Sequence, residues 1–124
     1  MAATFVALGA VIAACGGSGP SAGASTVPAT TAPGTITVEA TNYQFTPSAI
    51  TAPAGPVTFS VKNAGTEEHE FEIFKGESVV DEIEGLVPGL TKNLTVNLEA
   101  GSYTFVCKLN GHDLLGMTGT LTVQ

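Results

Sequence analysis

The sequence predicts an all-β domain, an antiparallel sandwich of two sheets with about seven to eight strands. Three observations predict it. Between residues 35 and 124 apolar residues recur at every second position, turn-forming residues interrupt those runs at short intervals, and residues 16 to 34 lack the composition of a core. Successive side chains of a strand point to opposite sides of the pleat, so a strand with one wet and one buried face produces this alternation.

The chain opens on AATFVALGAVIAA, residues 2 to 14, an apolar run of 13 that ends in small residues before Cys15. Such a run is too short to cross a bilayer as a helix and fits the apolar core of an export signal. MAATF departs from that pattern, because it carries no Lys or Arg. Ile12-Ala13-Ala14-Cys15 resembles the lipobox of bacterial lipoproteins. The resemblance implies a signal peptide over residues 1–15, lipidation at Cys15, and a periplasmic or cell-surface protein anchored to the membrane by that lipid. An ordinary cleavable signal with an incidental cysteine is the alternative. Residues 16–34, GGSGPSAGASTVPATTAPG, carry no charge and almost no large apolar group, so they read as a flexible tether. Nineteen residues of that composition reach roughly 24 Å, enough to hold a small domain clear of lipid headgroups.

The folded domain is therefore expected over residues 35–124. Ile36, Val38 and Ala40 mark its first strand, followed by Val57, Phe59 and Val61. His69, Phe71 and Ile73 then share one parity, with Glu68, Glu70 and Glu72 on the other. Leu94, Val96 and Leu98 continue the pattern, as do Tyr103, Phe105 and Cys107, and finally Met117, Gly119, Leu121 and Val123. Pro53-Ala54-Gly55-Pro56, Asn63-Ala64-Gly65, Pro88-Gly89 and Ala100-Gly101 supply the turns. Gly76 to Leu90 does not alternate, and its Val79, Val80, Ile83, Leu86 and Val87 allow a short helix or a loop packed on the sandwich. Asn93-Leu94-Thr95 matches a glycosylation acceptor, which in a lipobox-bearing chain reads as chance.

Charge narrows the partners. The net charge is -7 with 4 Lys and Arg residues in all, too few to neutralise nucleic-acid phosphates. Eight of the 11 acids fall between Glu67 and Glu84. That stretch either steers a basic protein toward one side of the domain or simply keeps the surface solvated. No acid pair in an apolar setting and no phosphate-binding glycine loop points to catalysis, so the chain is not expected to be an enzyme. A monomer is expected.

The chemistry concentrates near the C-terminus, in CKLNGHDLLGM, residues 107 to 117. With Cys15 lipidated, Cys107 is the sole remaining thiol and has no intramolecular disulfide partner in an oxidising compartment. Parity turns Cys107 and His69 inward at strand ends, and His112 and Met117 follow on the loop. If those strands are neighbours, the four side chains converge at one end of the sandwich. Each alone reads as core filler, but two imidazoles, a thiolate and a thioether together form the His₂Cys set with weak axial Met that suits a blue-copper electron-transfer site. Structural zinc prefers four strong ligands, and non-haem iron wants a carboxylate that only Asp113 supplies in this loop.

The segments HEFEI, GSYTFVC and GHDLLGMTGTLTV resemble the cupredoxins, in particular the small blue (type 1) copper proteins of the plastocyanin and azurin type. The resemblance covers residues 35 to 124 and implies a Greek-key sandwich. It implies His69, Cys107, His112 and Met117 as ligands of one copper ion, with His112 near the surface as the electron's doorway. It also implies single-electron shuttling through Cu(II)/Cu(I) between redox proteins such as a basic-faced cytochrome or oxidoreductase, with copper storage or delivery as the alternative. Asn63 and the backbone near Asn110 are the expected hydrogen-bonding neighbours of the thiolate. Three features depart from the family pattern: the Cys-x4-His-x4-Met spacing, Asn110-Gly111 where many relatives have Pro-Gly, and Glu70 where plastocyanins often have Asn. Multicopper enzymes share the fold but need more than the two histidines present, and a dinuclear site needs two loop cysteines. A metal-free adhesion sandwich is the remaining rival.

Overall fold

A computed structural model describes residues 34–124; the expected signal segment 1–15 with Cys15, and the tether except for Gly34, lie outside the described residues. The described residues form nine strands and one short 3₁₀ helix. The strands are β1 (Thr35–Thr41), β2 (Gln44–Thr46), β3 (Ala49–Ala52), β4 (Gly55–Asn63), β5 (His69–Lys75), β6 (Ser78–Leu86), β7 (Thr91–Leu98), β8 (Gly101–Val106) and β9 (Thr118–Val123). They build one sheet in the order β2-β1-β4-β7 and another in the order β3-β9-β8-β5-β6.

The sandwich is the one expected, with a difference in strand direction. β1 pairs parallel to β4, and β3 pairs parallel to β9, so both sheets are mixed. The short β2 and β3 carry too few residues to show a period, which is why alternation did not reveal them. Residues 78–86 form a strand and neither a helix nor a loop. Two register shifts against β5 break the alternation there, and β6 lies at a sheet edge where Val79 and Val80 stay exposed.

The inward residues of the two sheets meet in one apolar core. Phe45, Phe59, Phe71 and Phe105 interlock at its centre, with ring centroids 5.2–5.5 Å apart. Each such pair adds about 0.5–1.5 kcal/mol beyond area burial. Gly119 lies opposite Phe105 across the β8–β9 ladder, and a Cβ there would sit 2.1 Å from the Phe105 ring. Only glycine lets β9 lie this close.

Direction decides what gathers at the ends. β5 and β9 both run antiparallel to β8, so the start of β5, the end of β8 and the start of β9 meet at one pole. His69 begins β5, Cys107 follows β8, and Met117 precedes β9. A backbone hydrogen bond from Cys107 N to Met117 O, 3.1 Å, closes the loop between them.

Candidate metal centre

The loop from Cys107 to Met117 is a 3₁₀ helix, Leu109–Leu115, interrupted by a left-handed pair, Asn110 (φ 52°) and Gly111 (φ 76°). Asn is among the few non-glycine residues that tolerate this conformation, so Asn-Gly makes the turn that Pro-Gly would make differently. The loop then closes with Met117 N donating to His112 O at 3.1 Å. This folds the His112 imidazole back under the sandwich while Leu114 and Leu115 point outward, 87% and 61% exposed.

His69, Cys107 and His112 come together, all buried, with their nearest donor atoms within 4.8 Å of one another. His69 Nδ1 is 3.3 Å from His112 Nδ1, and Cys107 Sγ is 3.4 Å from that same nitrogen. Met117 is fully buried at the same pole. All four residues singled out in the sequence therefore lie at one end of the sandwich.

The surrounding hydrogen bonds favour a proton on the outer nitrogen of each imidazole. Asn42 Oδ1 accepts from the backbone N–H of Thr66 at 3.1 Å, and Asn42 Nδ2 donates to Thr66 Oγ1 at 2.7 Å. The oxygen is thereby identified as the atom facing His69 Nε2, 3.3 Å away, so that nitrogen is the N–H and His69 Nδ1 is bare. Glu67 Oε2 lies 3.3 Å from His112 Nε2. A carboxylate oxygen only accepts, so a proton on Nε2 is favoured there and the Nδ1 of His112 is bare as well. Two imidazole lone pairs and a sulfur thus face one another in a buried space. Such a cluster suits a soft cation, and the His₂Cys set, with Met117 buried at the same pole, fits one copper ion.

Burial lowers the His69 pKa below its ordinary value, with His112 adding to the effect and Glu67 opposing it. Burial pushes the Cys107 thiol up, while the backbone N–H groups of Glu70 and Leu109 pull it down. The Glu70 N–H donates to Cys107 Sγ at 3.2 Å. The Leu109 amide is the backbone beside Asn110 that the sequence pointed to, whereas Asn63 gives the sulfur no hydrogen bond. Asn63 is buried and acts elsewhere: Nδ2 donates to Glu67 O at 2.7 Å and Leu86 O at 2.6 Å, and Oδ1 accepts from Gly65 N at 2.8 Å. It clamps the loop that delivers His69.

His112 departs from the surface position expected of it, being 2% exposed. The Tyr43 ring covers it, centroids 4.8 Å apart, and the Tyr43 hydroxyl donates to Glu67 Oε1 at 3.0 Å. That hydrogen bond, aided by burial, raises the Tyr43 pKa above its ordinary value. Sequence reasoning did not find Asn42, Tyr43 or Gly65 as site residues, and it read Glu67 only as part of the acidic run. Their link to the site is long-range pairing between the β1–β2 turn and the β4–β5 loop, which no local pattern reports.

Comparisons with known proteins agree with this fold. A sequence-family model described as Cupredoxin-like domain matches residues 5–123. The chain is 40% identical over 88 residues to the iron uptake system component EfeO of Yersinia pseudotuberculosis, covering 71% of this chain and 22% of that protein. It is 38% identical over 74 residues to EfeO of Escherichia coli K12, covering 60% of this chain and 20% of that protein. The chain thus spans about a fifth of the length of the curated relatives it matches. Among solved structures, reduced auracyanin from Roseiflexus castenholzii superposes with TM-score 0.68 at 22% identity, covering 73% of this chain and 96% of that one. Rusticyanin from Thiobacillus ferrooxidans superposes at 0.59 with 23% identity, covering 73% and 77%. At that identity the likeness is one of fold.

Proposed function

This chain belongs to the cupredoxin-like domain family, and from that premise we propose that it is a type 1 copper electron carrier, exported and tethered to a membrane through Cys15. His69, Cys107, His112 and Met117 hold the metal in this reading. When bound, copper supplies a one-electron Cu(II)/Cu(I) couple. The observation that carries the reading is the buried meeting of the His69 and His112 Nδ1 atoms with the Cys107 sulfur at the pole where three strands end.

The chain's own part follows from its packing. Strands β5, β8 and β9 are hydrogen-bonded neighbours, so donors at their ends are held by a stiff sheet and need not move when the charge at the site changes. The Glu70 and Leu109 amides stabilise the sulfur as thiolate, and burial excludes water from it. Leu114 and Leu115 form an apolar tip beside His112 through which a redox protein approaches, and the acids from Glu67 to Glu84 favour a basic face on that partner.

A second reading draws on the 40% identity to EfeO, in which the same centre serves as the electron partner of an iron uptake system. Storage or delivery of copper is the third. Stopped-flow mixing of the copper-loaded protein with a basic c-type cytochrome, at several salt concentrations, tests the carrier role. Fast exchange that slows with salt, with copper retained against a chelator, is expected. Slow exchange with ready copper release to an apo acceptor would instead select delivery.

A further inference from the structure

We infer that Glu67, steered by Tyr43, is a positioning residue for His112 whose carboxylate biases the metal centre toward its more positive oxidation state. The inference rests on the copper reading above and adds a residue to it.

Glu67 is held from both sides. Its backbone carbonyl accepts from Asn63 Nδ2 at 2.7 Å, which pins the chain at that point. Its Oε1 accepts from the Tyr43 hydroxyl at 3.0 Å, which leaves Oε2 directed at His112 Nε2, 3.3 Å away. The Tyr43 ring then lies against the same imidazole, tilted by 59°. A tyrosine and a carboxylate thus close the outer edge of a ring whose inner nitrogen faces Cys107 and His69.

Two consequences follow from elementary electrostatics. A carboxylate beside the outer N–H of a ligating imidazole fixes the tautomer and raises the basicity of the inner nitrogen. A fixed negative charge one ring away also stabilises a doubly charged metal ion more than a singly charged one. The Glu67 side chain is 47% exposed, so solvent screens this charge and the effect sits at the low end of the range for such partners. Loss of the charge is expected to weaken Cu(II) binding about tenfold more than Cu(I) binding. A tenfold change in that ratio raises the reduction potential by about 59 mV for one electron.

The test compares wild type with Glu67→Gln, which keeps the shape and removes the charge, and with Glu67→Ala, which removes the acceptor. Long-range ¹H–¹⁵N correlation spectra of the copper-free proteins report the His112 tautomer. Competition titrations give the Cu(II) and Cu(I) affinities, and voltammetry gives the potential. The expected results are an Nε2–H tautomer for wild type, a mixture for Glu67→Ala, and a potential raised in Glu67→Gln through a larger loss of Cu(II) than of Cu(I) affinity. A wild type that binds copper, with the same potential in Glu67→Gln and the same tautomer in Glu67→Ala, would overturn the role of Glu67 and leave the copper reading standing. A wild type that takes up no copper would remove that reading and this inference together.

Discussion

Replacing Gly65 with alanine is expected to loosen His69 although Gly65 is not a ligand. A Cβ at this position would lie 2.3 Å from Asn42 Oδ1, 3.1 Å from His69 Nε2 and 3.2 Å from the Asn42 backbone nitrogen. Asn42 Oδ1 can give way by side-chain rotation, but rotation breaks the bonds of Oδ1 to Thr66 N and His69 Nε2 and that of Nδ2 to Thr66 Oγ1. Each is worth about 0.5–1.5 kcal/mol, and the exposed side of Asn42 lets water recover part of that. Against this, alanine reduces the freedom of the unfolded chain and returns about 0.4–1 kcal/mol. The net expectation is a loss of about 1–2 kcal/mol in urea unfolding, with an unchanged denaturant slope because the surface exposed on unfolding is the same. In the same variant His69 loses the acceptor that fixes its tautomer, and Cu(II) affinity is expected to fall by about tenfold or more. A Gly65→Ala protein as stable as wild type, with unaltered copper affinity, would refute the claim that this glycine exists to admit Asn42.

The remaining predictions concern the loop clamp and the acidic face. Asn63→Ala removes three hydrogen bonds from a buried position and strands the Leu86 carbonyl; urea unfolding is expected to report a loss of about 3 kcal/mol, and a loss below about 1 kcal/mol would mean that the clamp is dispensable. Glu72 lies directly across from Glu82, and burial, then Glu70 and Glu82, raises its pKa. A carboxyl whose folded value exceeds its unfolded one favours the fold when protonated and weakens it when ionised. Glu72→Gln is therefore expected to stabilise the protein at neutral pH by about 0.5 kcal/mol, the scale of one cross-strand pair. That gain should shrink as pH falls through the folded pKa and vanish below about pH 4, where the unfolded carboxyl is protonated too. A gain that persists in acid would show that the cost of ionising Glu72 in the folded protein is not its source.

Parity made much of this molecule legible. The inward register of His69, Phe71 and Ile73, and of Tyr103, Phe105 and Cys107, follows from period two alone, and these residues are buried as that register requires. The meeting of His69, Cys107 and His112 also followed, because strand ends and one loop carry them, and Met117 is buried at the end of that loop. What stayed hidden depends on contacts between distant segments. β6 was obscured by its two register shifts and exposed valines, and the parallel β1–β4 and β3–β9 pairs leave no local trace. The outer ring of Asn42, Tyr43 and Glu67 was invisible for the same reason: its hydrogen bonds span 24 or 27 residues of sequence. That ring is also why His112, which the family resemblance put near the surface, is covered there.

The most direct test of the central claim is the visible and EPR spectrum of the copper-loaded protein beside its Cys107→Ser variant. Cysteine sulfur bonded to Cu(II) should give intense charge-transfer colour and a type 1 EPR signal in the wild type, both lost in the variant. Identical spectra from the two proteins, or a wild type that stays colourless with excess Cu(II), would contradict the account.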